Sequence, residues 1–116
     1  MSSDVRTIDR EELRETLARH ADDFRLVNSL SAWDFERKRI PGSIHFDTPE
    51  AMLKGLRKED DIVVYCSNVD CRASIQAYHL LVDHGYPRVR RYADGLIDWE
   101  TAGLPVEGSW ATRPRA

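Results

Sequence analysis

The sequence predicts an α/β fold in which a central, mostly parallel sheet of about five strands carries helices on both faces. Three observations support this prediction. Short apolar runs of strand type alternate with segments of helical periodicity along the chain. Candidate cap residues precede several of the helical segments. The apolar run 62–65 ends at Cys66, and a polar loop and a further helical segment follow it, which is typical of a strand–loop–helix unit in a parallel sheet.

Size and composition indicate an ordinary globular protein. The 116 residues fit a single domain, 1–116, with a core over about 6–107 and an aperiodic tail, 108–116, that we expect to be loose. The net charge of −3 argues against a nucleic-acid partner. No apolar run is long enough to cross a membrane, and the polar N-terminus lacks the apolar centre of a signal peptide. We therefore expect a cytoplasmic protein with no membrane partner, whose thiols stay reduced.

The first residues predict a strand, a helix and a second strand. Thr7-Ile8 can end a short strand. Asp9 then stands as an N-cap, with Glu12 as its capping-box partner. Apolar residues at helical spacing predict an amphipathic helix over 10–20, and the apolar run 24–27 predicts a core strand.

Two further helices are predicted from their caps. Ser31 precedes a short helical segment that we expect to bury Trp33 or Phe35. A Pro-Gly turn then leads into a strand. Thr48 is the next candidate cap, and Pro49 suits the first position of the helix that follows it.

The second half of the chain repeats the alternation. A strand over 62–65 precedes the cysteine loop, and the helix after that loop is expected to stop at Gly85. Residues 89–92 predict the last strand, and Asp94-Gly95 turns into the last helix. In the tail, Trp110 is the one residue that we expect to dock against the domain.

Cys66 stands where a parallel α/β sheet places its functional site, outside the carboxyl ends of the strands. N–H groups of the loop and of the next helix's first turn have no intrahelical acceptor, so they form a cradle for an anion. Together with the helix dipole, they favour a thiolate at Cys66. Asp70 opposes this effect, because a negative charge beside a thiol raises its pKa. Its side chain could instead point away and cap the helix that starts near Arg72.

In this order and spacing, three stretches resemble the rhodanese-like domain family. Leu26-Val27-Asn28, Phe35 and residues 40–45 are similar to the family stretch "LVDVR…EF…GHIPGAIH". Residues 63–66 are similar to the family's "VVYC", which holds its active-site cysteine. Gly85-Tyr86, Val89, residues 95–99 and residues 102–106 are similar to "GY..V..L.GG...W..AGLPV". The resemblance covers about residues 6–107 and implies the predicted fold.

The chain also departs from the family pattern. Asn28 and Leu30 stand where the family usually has Asp and Arg, Lys38-Arg39 replaces Gly-His, and Asp94 replaces the first Gly of a pair. The usual loop resembles "C-R-x-G-x-R-S". If Ser74 matches its serine, the loop here is two residues longer and Arg72 is out of register with the family arginine. The loop lacks glycine and contains Cys71, so that it resembles a Cys-x4-Cys variant of the family.

The resemblance implies a sulfurtransferase of thiosulfate type or a persulfide carrier. Cys66 would be the catalytic nucleophile. It would take sulfane sulfur from a small donor such as thiosulfate, or from a protein persulfide, and pass it to a thiol acceptor. Backbone N–H groups of the loop would hold the persulfide anion. The residues expected to bind substrate are Ser67, Asn68, Val69, Asp70, Cys71 and Arg72. No cofactor is implied, and the cysteine and histidine spacing predicts no metal site.

Cys71 and the wider function each leave alternatives open. Cys71 is either a resolving thiol that closes a disulfide with Cys66 or a small residue that packs at the helix start. The spacing Cys66-x5-Arg72 also fits a phosphatase or arsenate reductase of the same fold, although Tyr65 replaces the usual His and Asp70 would repel a dianion. A non-catalytic binding module is the third possibility, because several family positions have changed.

Overall fold

The computed structural model describes residues 5–110 and confirms the α/β class. Its strands form one parallel sheet in the order β2-β1-β3-β4. The strands are β1 (Phe24–Asn28), β2 (Ser43–His45), β3 (Asp61–Tyr65) and β4 (Val89–Tyr92). The helices are α1 (Arg10–Ala18), α2 (Ala32–Arg37), α3 (Pro49–Gly55), α4 (Ala73–Asp83) and α5 (Gly95–Thr101). Within residues 5–110, no helix is long and apolar enough to cross a bilayer.

The helix starts follow the predicted caps. The Asp9 carboxylate accepts from the Glu12 N–H at 2.8 Å, and the Glu12 carboxylate accepts from the Asp9 N–H. Ser31 and Thr48 accept from backbone N–H groups in the first turns of α2 and α3. Each cap satisfies a donor that the helix itself cannot, which fixes where the chain leaves a strand or loop.

Apolar side chains cover both faces of the sheet. On β3, Val63 and Tyr65 point to one face, where they pack with Leu13 of α1 and Trp99 of α5. The alternate β3 residues point to the other face and pack with residues of α3 and α4. Because β3 is an inner strand buried on both sides, the residue that follows it is held at a rigid point of the molecule.

The fifth strand of the predicted sheet is missing, and the sheet in the described residues has four strands. Thr7 forms a single isolated parallel bridge with Arg91. Backbone bonds flank it, from the Ile8 N–H to the Arg91 carbonyl and from the Arg91 N–H to the Arg6 carbonyl. The pairing stops there because Asp9 already caps α1, so the chain turns into the helix after one bridge.

Of the two residues that α2 was expected to bury, Phe35 is half-buried and Trp33 lies outside the core. Its side chain is 54% exposed. The Arg37 guanidinium covers its ring at 3.6 Å, and Trp110 packs edge-to-face on it at 5.2 Å. Backbone bonds from Ser109 and Trp110 to carbonyls of α2 hold this contact. Trp110 therefore docks as expected, whereas residues 111–116 of the predicted loose tail lie outside the described residues.

Candidate active site

Cys66 follows β3 directly and is 1% exposed. Its sulfur is bonded to that of Cys71 in a disulfide, with a distance of 6.4 Å between the two Cα atoms. The structure thus describes the oxidised form of the pair, whereas the sequence predicted reduced thiols. Both sulfur atoms of the Cys-x4-Cys loop lie at the carboxyl edge of the sheet.

The loop between the cysteines is organised by Asn68. Its side-chain oxygen accepts from the Asp70 N–H at 3.0 Å, and its carbonyl accepts from the Cys71 N–H at 3.2 Å. Two N–H groups of the predicted cradle are therefore used within the loop. Of the loop residues 67–72, the four whose backbone N–H groups have no acceptor among residues 5–110 are Ser67, Asn68, Val69 and Arg72.

The two charged loop residues face solvent. Arg72 is exposed and occupies the N-cap position of α4, with no side-chain cap bond. Asp70 is exposed as well and does not cap α4, contrary to one prediction for its side chain. α4 begins with an uncapped first turn, so donors there are free to face an anion.

A buried arginine that was not among the predicted site residues lies beneath this loop. Arg91 of β4 is only 6% exposed. Its guanidinium donates from Nε to the Ser74 hydroxyl at 2.8 Å and from one terminal nitrogen to the carbonyls of Val69 and Cys71 at 3.0 and 3.2 Å. Burial lowers the pKa of Arg91, and Asp94 opposes that effect. An arginine remains charged despite such a shift, because its ordinary pKa lies far above neutral pH.

Alternation along β4 is the signal that could have found this residue. Val89 packs in the core beneath α4, and Arg91, two residues later on the strand, points to the same face. A charged side chain at such a position needs polar partners, which only the loop and the start of α4 can provide.

Ser74 connects Arg91 to the reactive sulfur. Its hydroxyl oxygen lies 3.5 Å from Cys66 Sγ, and the residue is 1% exposed. A disulfide sulfur carries no proton, so the hydroxyl is the donor of this contact. Because Ser74 already accepts from Arg91, its own proton is free to point at the sulfur.

The start of α5 holds the backbone at Cys66. N–H groups of Leu96 and Ile97 donate to the carbonyls of Cys66 and Ser67 at 2.8 and 2.9 Å. Gly95 permits this approach, because a Cβ there would lie 2.7 Å from the Cys66 carbonyl oxygen. The chain leaves β3 in one fixed direction, with the sulfur toward α4.

Two cavities reach the ends of the cysteine loop. One of about 490 Å³ lies between α3 and α4, is lined mainly by apolar atoms, and extends to Ala73. Another of about 310 Å³ lies between α2 and α5 and extends to Ser67. Leu30, at the position where the family usually has Arg, lines both. Neither cavity is lined by Cys66 or Cys71, so both adjoin the loop without opening onto the sulfur atoms.

Comparison with known proteins agrees with this geometry. The rhodanese-like domain family matches residues 9–102. A protein of Allochromatium vinosum named sulfurtransferase is 30% identical over 104 residues, which cover 88% of this chain and 94% of that protein. An HTH-type transcriptional regulator of Mycobacterium tuberculosis is 33% identical over 91 residues, 77% of this chain, and the chain matches 40% of the length of that regulator.

Solved structures show the same fold. The solution structure of a rhodanese-like domain from an Anabaena protein has a TM-score of 0.77 at 25% identity and covers 100% of this chain and 86% of that one. A crystal structure of a Bacillus halodurans protein has a TM-score of 0.83 at 23% identity, with 91% and 79% covered. With the matched family, the parallel sheet and a cysteine at the end of its inner strand, the chain belongs to the rhodanese-like domain family.

Proposed function

We propose that this domain is a sulfurtransferase that carries sulfane sulfur on Cys66 and passes it to a thiol acceptor. The observation that supports this most directly is the position of Cys66, at the end of an inner strand and beside a loop with unpaired N–H groups. Such groups stabilise a sulfur anion as an oxyanion hole stabilises oxygen. The name of the Allochromatium relative agrees with this proposal.

The proposed reaction begins with the reduced protein. The Cys66 thiolate attacks the sulfane sulfur of thiosulfate, the S–S bond of the donor breaks, and sulfite leaves with the electron pair. The product is a Cys66 persulfide anion. An acceptor thiolate then attacks the outer sulfur, so that Cys66 returns as a thiolate and the acceptor carries the persulfide. No net oxidant or reductant is needed in this cycle.

Cys71 is proposed as a resolving thiol, and its bond to Cys66 supports that role. In this branch the Cys71 sulfur attacks Cys66 Sγ, the persulfide S–S bond breaks, and hydrosulfide leaves with the Cys71 proton. The Cys66–Cys71 disulfide that results is inactive until a dithiol reductant opens it. The carrier could thus release its sulfur as sulfide when no acceptor is bound.

Intact mass spectrometry tests the proposal. The reduced wild type, Cys66→Ser and Cys71→Ser are incubated with thiosulfate and, separately, with polysulfide. We expect an adduct of one sulfur atom that Cys66→Ser abolishes. If the adduct accumulates only in Cys71→Ser, while the wild type goes to the disulfide, Cys71 is a resolving thiol; if it accumulates equally in both, Cys71 has no such role. No adduct with either donor in any form would refute sulfur transfer.

The same proteins test the alternatives. A phosphatase or arsenate reductase that uses Cys66-x5-Arg72 would hydrolyse an aryl phosphate or reduce arsenate, and Arg72→Ala would cost it more activity than Cys71→Ser. Arg72 is exposed in the structure, so that enzyme has no support beyond the spacing. A non-catalytic module would form no adduct and hydrolyse nothing.

A further inference from the structure

We propose that Arg91 is a positioning residue of this site, which orders the loop that carries both sulfur atoms and stabilises the Cys66 thiolate through Ser74. This role deepens the proposed function, because it concerns the activation of the same thiol. Arg91 touches neither sulfur in the structure and acts through its neighbours.

The burial of Arg91 is the first support for this role. Burying a guanidinium costs free energy unless its donors are paired. Arg91 is 6% exposed, and among residues 5–110 its side chain bonds only to oxygen atoms of the loop and of α4. None of these partners is a carboxylate, so no direct ion pair neutralises the charge. A cation held in this way is available to stabilise an anion that forms beside it.

The bonds of Arg91 lead directly to the reactive sulfur. Arg91 Nε donates to Ser74 Oγ at 2.8 Å, and Ser74 Oγ lies 3.5 Å from Cys66 Sγ. A hydroxyl that accepts from a cation becomes a stronger donor. When the disulfide opens, the Cys66 thiolate would receive this hydrogen bond and the field of the buried charge. Both effects lower the pKa of a thiol.

The other hydrogen bonds of Arg91 hold the part of the loop that carries Cys71. One terminal nitrogen donates to the carbonyls of Val69 and Cys71, on the stretch that returns toward Cys66. These bonds persist only if the loop keeps its shape. Arg91 therefore keeps Cys71 within reach of Cys66 and reduces the entropy that disulfide closure would otherwise cost.

Other charges near the loop are weaker candidates for this effect. Asp70 and Arg72 are exposed, where solvent and salt screen them. The first turn of α4 carries no acidic residue. Asp94, at the start of α5, acts on the Arg91 charge from a distance, and Arg6 contacts Arg91 through a backbone bond. Arg91 is the buried charge among these residues that bonds to the loop.

The test measures the pKa of Cys66 in the Cys71→Ser background, where Cys66 is the one remaining thiol of the chain. The rate of alkylation by iodoacetamide is measured against pH for the Cys71→Ser protein and for the same protein with Arg91→Gln or Arg91→Lys added. We expect Arg91→Gln to raise the Cys66 pKa by about one unit, which slows alkylation at neutral pH about tenfold. Arg91→Lys keeps the charge and should restore most of the rate.

Arg90→Gln is the matched control. Arg90 is the preceding residue of β4, and its side chain pairs with Asp61 at 3.0 Å, away from the cysteine loop. We expect this variant to leave the Cys66 pKa unchanged. Circular dichroism and the urea midpoint establish that each variant is folded. An unchanged Cys66 pKa in folded Arg91→Gln would overturn the proposal.

If Arg91→Gln does not fold, the Cys66 pKa is measured in Ser74→Ala instead. This variant keeps Arg91 but removes the hydroxyl that contacts Cys66. An unchanged Cys66 pKa there would overturn the proposal equally. Alkylation needs no sulfur donor, so this experiment tests the role of Arg91 independently of sulfur transfer. A thiol whose pKa depends on Arg91 but never forms a persulfide would refute the proposed function alone.

Discussion

At the scale of single residues, the Tyr65 hydroxyl joins three parts of the chain immediately before the cysteine. It donates to Ser43 Oγ at 2.9 Å and accepts from the Asn28 amide and the Ile40 N–H, both at 3.0 Å. Tyr65 is 0% exposed, and burial raises its pKa. Asn28, which replaces the family's usual Asp, suits this network because an amide can donate to the hydroxyl.

We predict that Tyr65→Phe lowers the free energy of unfolding by about 2 kcal/mol, because two buried donors lose their acceptor. Urea denaturation measures the change. Tyr78→Phe is the control: its hydroxyl accepts from one N–H, that of Arg6, at 3.1 Å in a partly buried position. We expect a smaller loss there. Equal losses of unfolding free energy in the two variants would contradict the prediction, because the Tyr65 network would then contribute no more than a single hydrogen bond.

The candidate site was only partly predictable at this scale. Cys66 and its loop could be found because a cysteine at a strand end is visible in the pattern. Arg91 was missed because it follows another arginine, and alternation with Val89 along β4 is the one signal for which of the two faces α4. Whether Cys66 and Cys71 form a disulfide could not be predicted either, because spacing alone does not give the distance between two cysteines.

At the scale of elements, the start of α5 fixes the end of β3. Its first N–H groups donate to the Cys66 and Ser67 carbonyls, so the helix is attached directly to the backbone of the site. Gly95 has φ of +73°, and a Cβ there would lie 2.7 Å from the Cys66 carbonyl oxygen and the Ser67 backbone. The position thus excludes a side chain for two reasons, conformation and space.

Gly95→Ala is therefore predicted to cost about 3 kcal/mol and to slow alkylation of Cys66, because backbone atoms must move to admit the methyl group. Gly103→Ala is the matched control. Gly103 also has a positive φ, +82°, but nothing lies within 4 Å of its Cβ position. Strain alone should cost about 1 kcal/mol there and leave the alkylation rate unchanged. A similar rate in both variants would contradict the attachment of α5 to the site.

Element boundaries were predictable wherever a local chemical signal set them. The caps at Asp9, Ser31 and Thr48 begin helices as expected, because a side chain close in sequence satisfies the first donors. Thr7 forms one parallel bridge where a strand was expected, and Trp33 is exposed where it was one of two candidates for burial. Both depend on partners distant in sequence, namely β4 and Trp110, and local patterns do not report those.

At the scale of the whole molecule, alternation of strands and helices was enough to predict a parallel sheet covered on both faces. A parallel strand needs a crossover, and the helical segments provide one between successive strands. The pattern did not determine how the faces would be filled. Buried tyrosines occupy several core positions, and their hydroxyl groups need partners that only the folded chain provides.

These tyrosines give the molecule a common response to alkaline pH. Burial raises the pKa of Tyr65, Tyr86 and Tyr92. For Tyr92 the hydrogen bond to the Asp98 carboxylate adds to the shift, because it favours the protonated phenol. The folded protein thus holds these protons more tightly than the unfolded chain, which releases them near the ordinary tyrosine pKa of about 10.

We therefore predict that the free energy of unfolding is insensitive to these groups below about pH 10 and falls above it, because the unfolded state then binds fewer protons than the folded state. Urea denaturation at increasing pH measures the slope. Tyr92→Phe removes the group with the largest shift, so its slope should be shallower whatever its stability at neutral pH. Tyrosinate absorbance that rises in the folded protein while stability stays level would contradict the prediction, because it would mean that the buried phenols ionise at no cost.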